Sequence, residues 1–212
     1  MKDYLKNIGW NRIVFMILGV IFIGIGVTCM RFAGFGTDPF SCMVFGVIRH
    51  VPISYGTFQI MVNIALFIPV IILYPKSFGV GAFFNMIGLG YIVEFCVWTC
   101  GLLGVTVEGV APFLLLRVAL LIIGILIFCF GVALYMQCDL GVEPYDMIAQ
   151  IAEDRTGGKL KFKWVRVGCD ILCMTIGFFT GGTIGAATIV VAFFTGPVVS
   201  WFREHVARKI IK

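Results

Sequence analysis

Long apolar stretches dominate this chain, at about residues 13–30, 55–74, 78–99, 112–137, 162–179 and 184–202. Each approaches the ~20 residues that an α-helix needs to cross ~30 Å of hydrocarbon. Two shorter segments stand between them, Pro39 to about His50 and Pro144 to Asp154. At ~1.5 Å per residue these cover about half a bilayer. Glycine and proline punctuate the pattern. Gly34-Phe35-Gly36 breaks the first run, Pro52 and Gly56 end the first short segment, and Pro75-Lys76 forms a turn. Pro69 is placed to kink the second run. Gly157-Gly158 and Gly181-Gly182 mark further turns, and Gly196-Pro197 is expected to interrupt the last run. Cys100 to Ala111 reads as a loop with no basic residue.

The pattern is written twice. Gly36-Thr37-Asp38-Pro39-Phe40-Ser41 returns as Gly141-Val142-Glu143-Pro144-Tyr145-Asp146. Gly19 and Gly26 before the first copy match Gly124 and Gly131 before the second. Downstream, Gln59 and Asn63 match Arg166 and Asp170, while Gly79 and Gly90 match Gly185 and Gly196. The expectation is one membrane domain over 1–212, with internal repeats at about 13–100 and 112–203.

An all-α integral membrane fold follows, with two topologies open. If both short helices are re-entrant, the chain has six transmembrane helices in two inverted repeats of three spans each. If both cross, there are eight crossings in two parallel repeats. The polarity of Pro144–Asp154, with Asp146, Gln150, Glu153 and Asp154, disfavours a lipid-facing crossing and favours inversion.

Gly34-Phe35-Gly36-Thr37-Asp38-Pro39-Phe40-Ser41 after a first span, with Gly196-Pro197 echoing in the last, resembles the YczE-like bacterial membrane proteins, relatives of the YitT group. The likeness runs from about Gly19 to Trp201. It implies a multi-pass protein of the bacterial inner membrane and supplies no catalytic residues. The second copy departs from the motif at Glu143 and Tyr145.

Composition agrees: the chain is 60% hydrophobic and only 13% charged, against roughly a quarter charged in soluble chains. The net charge of +5 is concentrated at the N-terminus (Lys2, Lys6, Arg12), between Arg155 and Arg166, and from Arg203 to Lys212. Basic flanks stay in the cytoplasm, which puts both termini inside; if the short helices are re-entrant, only Arg31, Arg49 and Arg117 stay near the outside. Nucleic-acid binding lacks the folded polar surface it would need. Most of the eight cysteines lie within apolar runs. Cys96/Cys100 and Cys169/Cys173 share helix faces, but no His or carboxylate joins them, so they read as packing residues and no metal is expected.

The candidate chemistry lies at the duplicated motif. Asp38 and Glu143 are placed as N-caps, each followed by a proline suited to the first helical position. Two half-helix N-termini facing each other at a repeat interface are how many secondary transporters hold a solute. Gly36, Thr37, Asp38, Pro39 and Ser41 with Gly141, Glu143, Pro144 and Asp146 are therefore the candidate substrate site, with Gln59, Asn63 and Arg166 lining the route. Asp38 and Glu143 serve either as inherited caps or as carboxylates that carry a coupling proton or cation. Asp170 is the third coupling candidate; its alternative is a local ion pair with Arg166, one turn away. Glu94 reads as solvated near a membrane end, and Asn85 as interhelical glue or a lining residue. Phe40, Tyr145 and Trp164 read as packing or interfacial residues.

These features point to a small-solute transporter, with the bilayer and a small polar or charged solute as partners, a homodimer allowed, and no cofactor. The competing expectation is a non-transporting scaffold that binds a partner through Glu153–Arg166 or Arg203–Lys212. Enzymatic function is not expected. The chain has no phosphate-binding loop, no His-Glu-x-x-His and no Gly-x-Ser-x-Gly.

Overall fold

The computed structural model describes residues 10–73, 79–141 and 143–211. Helices α1 (Trp10–Ala33), α2 (Pro39–Val47), α3 (Tyr55–Leu73), α4 (Val80–Leu102) and α5 (Val107–Val110) form the first part. Helices α6 (Leu114–Cys138), α7 (Pro144–Arg155), α8 (Phe162–Phe179) and α9 (Ala186–Phe202) form the second. A π-helical turn, Arg203–Ala207, and a last short helix, α10 (Arg208–Ile210), end the chain. Among the described residues, five helices are long and apolar enough to cross a membrane: Trp10–Ala33, Tyr55–Leu73, Val80–Leu102, Leu114–Cys138 and Ala186–Ile210. The sixth expected span, α8, is an 18-residue helix that carries Lys163, Arg166 and Asp170.

Two local expectations need correction. Gly196-Pro197 does not interrupt the last helix, which runs unbroken from Ala186 to Phe202. The irregularity comes after this helix, in the π-helical segment Arg203–Ala207. The stretch Cys100–Ala111 is not all loop: the Thr106 hydroxyl accepts the Gly109 N–H at 3.0 Å and caps one turn of helix, α5. The turn expected at Pro75-Lys76 and the basic residues Lys2 and Lys6 lie outside the described residues.

The bundle is organised on α1 and α6, which pack along their glycines. A Cβ on Gly19 would lie 2.9 Å from the Gly131 carbonyl oxygen, and one on Gly26 would lie 2.8 Å from that of Gly124. The early glycine of α1 meets the late glycine of α6, so the two helices are antiparallel. Small residues allow this backbone approach where lipid tails provide no competing hydrophobic drive.

Contacts fix the other directions in the same way. Val20 lies beside Gly88 and Ile92 beside Gly24, so α4 runs parallel to α1. Gly56 faces Gly90, while Phe67 clusters with Ala82 and Met86, so α3 runs antiparallel to α4. Phe130 packs on Phe202, and Cys129 and Ala133 cluster with Val199, with Gln137 bonded to Arg203 further along. Helix α9 therefore runs with α6. Trp10 and Phe202 end at one face of the bundle, together with Arg12 and Arg203. Arg31 and Arg117 lie at the other.

The short helices cross over: α2 packs on α8, and α7 packs on α3. Two further contacts tie the halves together in matching fashion. The Gly81 N–H donates to the Leu140 carbonyl at 2.8 Å, and the Ala187 N–H donates to the Phe35 carbonyl at 3.0 Å. Gly79 and Gly185 make these approaches possible, because a Cβ on either would run into the same carbonyls. Outward faces carry Ile72, Phe95, Leu115, Phe179 and Phe194 in exposed positions. So continuous an apolar exterior suits lipid.

Candidate functional site

The acid-Pro-aromatic tips of α2 and α7 meet at their aromatics. The ring of Phe40 packs edge-on against Tyr145, with centroids 5.7 Å apart. These residues occupy equivalent places in the two motif copies, so each tip is seated beside its counterpart.

The first tip is a capped helix start. Asp38 Oδ2 accepts the Ser41 N–H at 2.9 Å, and Pro39 opens the helix without an N–H to satisfy. Asp38 Oδ1 is buried and has no hydrogen-bond partner among the described residues. Ser41 Oγ lies 3.0 Å from the Tyr55 hydroxyl, and the Tyr55 ring rests on Phe45.

The second tip is built differently. Glu143 holds the N-cap position of α7, but its side chain makes no capping hydrogen bond. Its carboxylate instead accepts a hydrogen bond from the Asn85 side-chain amide on α4. The Tyr145 hydroxyl donates to Asp170 Oδ1 at 2.9 Å. Arg166 lies over the Tyr145 ring, 4.4 Å from its centroid. Its guanidinium pairs with Asp146 and stands 3.7 Å from Asp170 Oδ2. The local Arg166–Asp170 pair is thus one side of a larger cluster whose closer carboxylate is Asp146.

The remaining expected residues divide into two groups. Gln59 and Asn63 are buried on α3. Gln59 lies against Gly90, and its Oε1 has no hydrogen-bond partner among the described residues. Thr37 and Pro144 are buried beside their tips. Gly36 and Gly141 are close-packed against backbone. A Cβ on Gly36 would strike Thr188 Oγ1 and lie 2.8 Å from the Gly185 nitrogen. One on Gly141 would lie 2.9 Å from Gly79 Cα. Both have positive φ, +102° and +124°, which L side chains rarely adopt.

Four further residues have roles around the tips, and Asn85 makes the kind of interhelical bond expected of it. Asn85 is part of the site through Glu143. Tyr55 bonds the first tip, and its spacing from Gln59 and Asn63, one helical turn at each step, was the available signal. Tyr145 is a hydrogen-bond donor at the centre of the cluster as well as a packing ring. Its signal is a paired change across the repeat: where the first copy has Phe40 and Asn63, the second has Tyr145 and Asp170. The hydroxyl and the carboxylate that accepts it are present in the same half. Glu94 is half-buried and accepts the Gly56 N–H at 3.3 Å, serving the start of α3.

Acceptors outnumber donors here. Asp38, Glu143, Asp146 and Asp170 share the region with one guanidinium, Arg166. Asp38 Oδ1, Gln59 Oε1 and Asn85 Oδ1 are all buried without a partner among the described residues. Such groups are costly in a low-dielectric interior, and uptake of a proton or cation would restore the balance. Among the described residues, no three His, Cys, Asp or Glu side chains converge to hold a metal ion.

A bundle of long apolar helices with exposed apolar faces and a buried polar cluster defines an all-helical, multi-pass membrane protein. The chain belongs to the DUF6198 family, described as a family of unknown function, whose pattern matches residues 10–204. It is similar to the uncharacterized membrane protein YczE of Bacillus subtilis, 24% identical across 89% of this chain and 83% of that protein. An uncharacterized protein of Haemophilus influenzae is 27% identical across 94% of this chain and 86% of its own length. YyaS of Bacillus subtilis, also uncharacterized, is 23% identical across 92% and 93%. The YczE-like resemblance expected from the motif is thereby shown. No solved structure matches the chain.

Proposed function

We propose that this protein is a small-solute transporter of the bacterial inner membrane, built from two inverted three-span repeats. The observation that carries the reading is the antiparallel seating of α1 on α6. These helices begin the two repeats. With three crossings per repeat, the second must enter the membrane in the opposite sense from the first. With four, α1 and α6 would run parallel. Helix α8 is the sixth span on this reading, with Arg166 and Asp170 turned to the cluster and the exposed Lys163 in its first turn near the membrane end, and ~27 Å of helix suffices for it.

Helices α2 and α7 are then re-entrant, and their tips meet between the repeats, the arrangement that secondary transporters use for binding. Asp38, Glu143 and Asp170 are the coupling carboxylates, because ionisable groups at membrane depth are expensive and retained for function. The face bearing Arg12, Lys159, Lys161 and Arg203 is cytoplasmic. No bond-making chemistry is assigned to the chain.

The test is a proteoliposome assay with a trapped pH dye and an imposed gradient, challenged with a panel of small amino acids, organic acids and inorganic anions. A solute-dependent proton flux is expected in the native protein and is abolished in Asp38→Asn or Asp170→Asn at equal incorporation. Native flux that persists unchanged in both variants would remove the coupling role.

A further inference from the structure

A cavity of about 260 Å³ opens at the end of the bundle that holds the C-terminus of α1, lined in part by Arg31, Gly36, Thr37, Phe45, Arg49 and Thr183. It adjoins the first tip, since Gly36 and Thr37 lead directly into Asp38. The guanidinium groups of its two arginines make no ion pair and no hydrogen bond among the described residues. Arg31 is held by its position over the Phe45 ring, 4.3 Å from the centroid, a contact that orients a guanidinium without neutralising it. Arg49 is exposed at the rim, within 3.6 Å of the site where a Cβ on Gly181 would stand.

Arg117, the third arginine at this end, shows what a structural role looks like. Its Nε donates to the Ala33 carbonyl at 2.8 Å and its Nη2 to the Gly34 carbonyl at 3.3 Å, closing the C-terminus of α1. That end therefore does not need Arg31 as its hydrogen-bonding cap. Glu108, on α5 packed against α1, forms no ion pair with Arg31 among the described residues. Two like charges converge on one concave space, with the Thr37 hydroxyl making only a long 3.4 Å bond to the Asp38 carbonyl.

We propose that this cavity is the entry site for a small oxyanion, held between Arg31 and Arg49. The inference deepens the transporter reading and rests on it for the word entry; the binding site stands without it. Guanidinium forks match the paired oxygens of carboxylate, nitrate or phosphate. The volume lies below the ~300–1,000 Å³ of pockets for drug-sized ligands, so the solute is compact. An anion arriving here meets the acceptor-rich tip at Asp38, and proton uptake by that carboxylate would remove the repulsion between them. That ordering links anion entry to proton coupling.

The purified protein would be titrated with sodium acetate, nitrate and phosphate against sodium chloride at matched ionic strength, reading the thermal unfolding midpoint. At least one oxyanion should raise the midpoint saturably. Arg49→Gln, at an exposed position where folding is not at risk, should weaken that response about tenfold or more, and Arg31→Gln likewise. Lys163→Gln, which removes the same charge at the other face, should leave it unchanged. No saturable response to any of the three anions, or equal responses in native, Arg31→Gln and Arg49→Gln proteins, would overturn the site. Saturable binding without any flux in proteoliposomes would instead sink the transporter reading and leave the anion site standing. Flux without oxyanion binding would do the reverse.

Discussion

The two short helices begin with the same acid-Pro-aromatic sequence and use it in different ways. In α2 the acid stays home: Asp38 caps its own helix through Ser41. In α7 the acid leaves: Glu143 reaches Asn85 on α4, and the neighbouring Tyr145 and Asp146 join the Arg166 and Asp170 cluster. A duplicated backbone therefore carries an asymmetric distribution of charge. The first half offers neutral Gln59 and Asn63 where the second offers Arg166 and Asp170. On the proposed reading, duplication would account for the paired motif, and the divergence between its copies would mark the half that carries the coupling charges.

The harshest way to break this comparison is to remove the guanidinium from the cluster in the second half. Arg166→Met leaves Asp146 and Asp170 without a counter-charge. The loss should fall toward the low end of the ~3–5 kcal/mol seen when a buried pair loses one partner, since the arginine side chain is 35% exposed. Thermal unfolding in detergent would measure it. Adding Asp170→Asn to Arg166→Met should restore part of the loss, whereas a further drop would show that the cluster is not electrostatically coupled.

Tyr145→Phe makes the second half resemble the first. It removes a hydrogen bond to a carboxylate, an effect of ~1.5–3 kcal/mol, while the ring contact with Phe40 remains. Its counterpart Phe40→Tyr should give no comparable gain, because its repeat-related partner is Asn63 and not an aspartate.

The joints should behave alike in both halves. Gly79→Ala and Gly185→Ala each force a methyl against a carbonyl of the other half, and each should destabilise by roughly 1–3 kcal/mol, as overpacking does. Gly101→Ala, with nothing within 4 Å, is the matched control. A large difference between the two joints would argue against equivalent seating.

The mildest change separates cap from charge. Asp38→Ala should lose the cap, ~1 kcal/mol, while Asp38→Asn should retain it within a few tenths, because Asn caps as well as Asp. If Asp38→Asn stops transport without loss of stability, the carboxylate has a role beyond capping.

Local rules made much of this legible. The Asp38-Pro39 start, the boundaries of α8, the breaks at Gly34 and Gly36 and the length of α7 all follow from residues close in sequence. The antiparallel meeting of α1 and α6 was not readable from charge, because both topologies put the basic termini on one face. It depends on which glycine meets which, a tertiary fact. Asn85 was expected to bond between helices, but its partner Glu143, far off in sequence, was not readable for the same reason. That Gly36 and Gly141 pack on the starts of α9 and α4 is likewise a tertiary fact. Pro197 was expected to break its helix, yet a proline costs little where a membrane helix can re-satisfy its backbone locally.

The central claim is the inverted arrangement of the repeats. It is tested most directly by placing single cysteines at Pro52, after α2, and at Lys159, after α7, in a background without native cysteines. An impermeant thiol reagent is then applied from each side of the membrane. Both positions are exposed. The account predicts that Pro52→Cys reacts only from outside and Lys159→Cys only from the cytoplasm. Labelling of both from the cytoplasm would mean that the short helices cross and the repeats run parallel, and the paired re-entrant site would have to be given up.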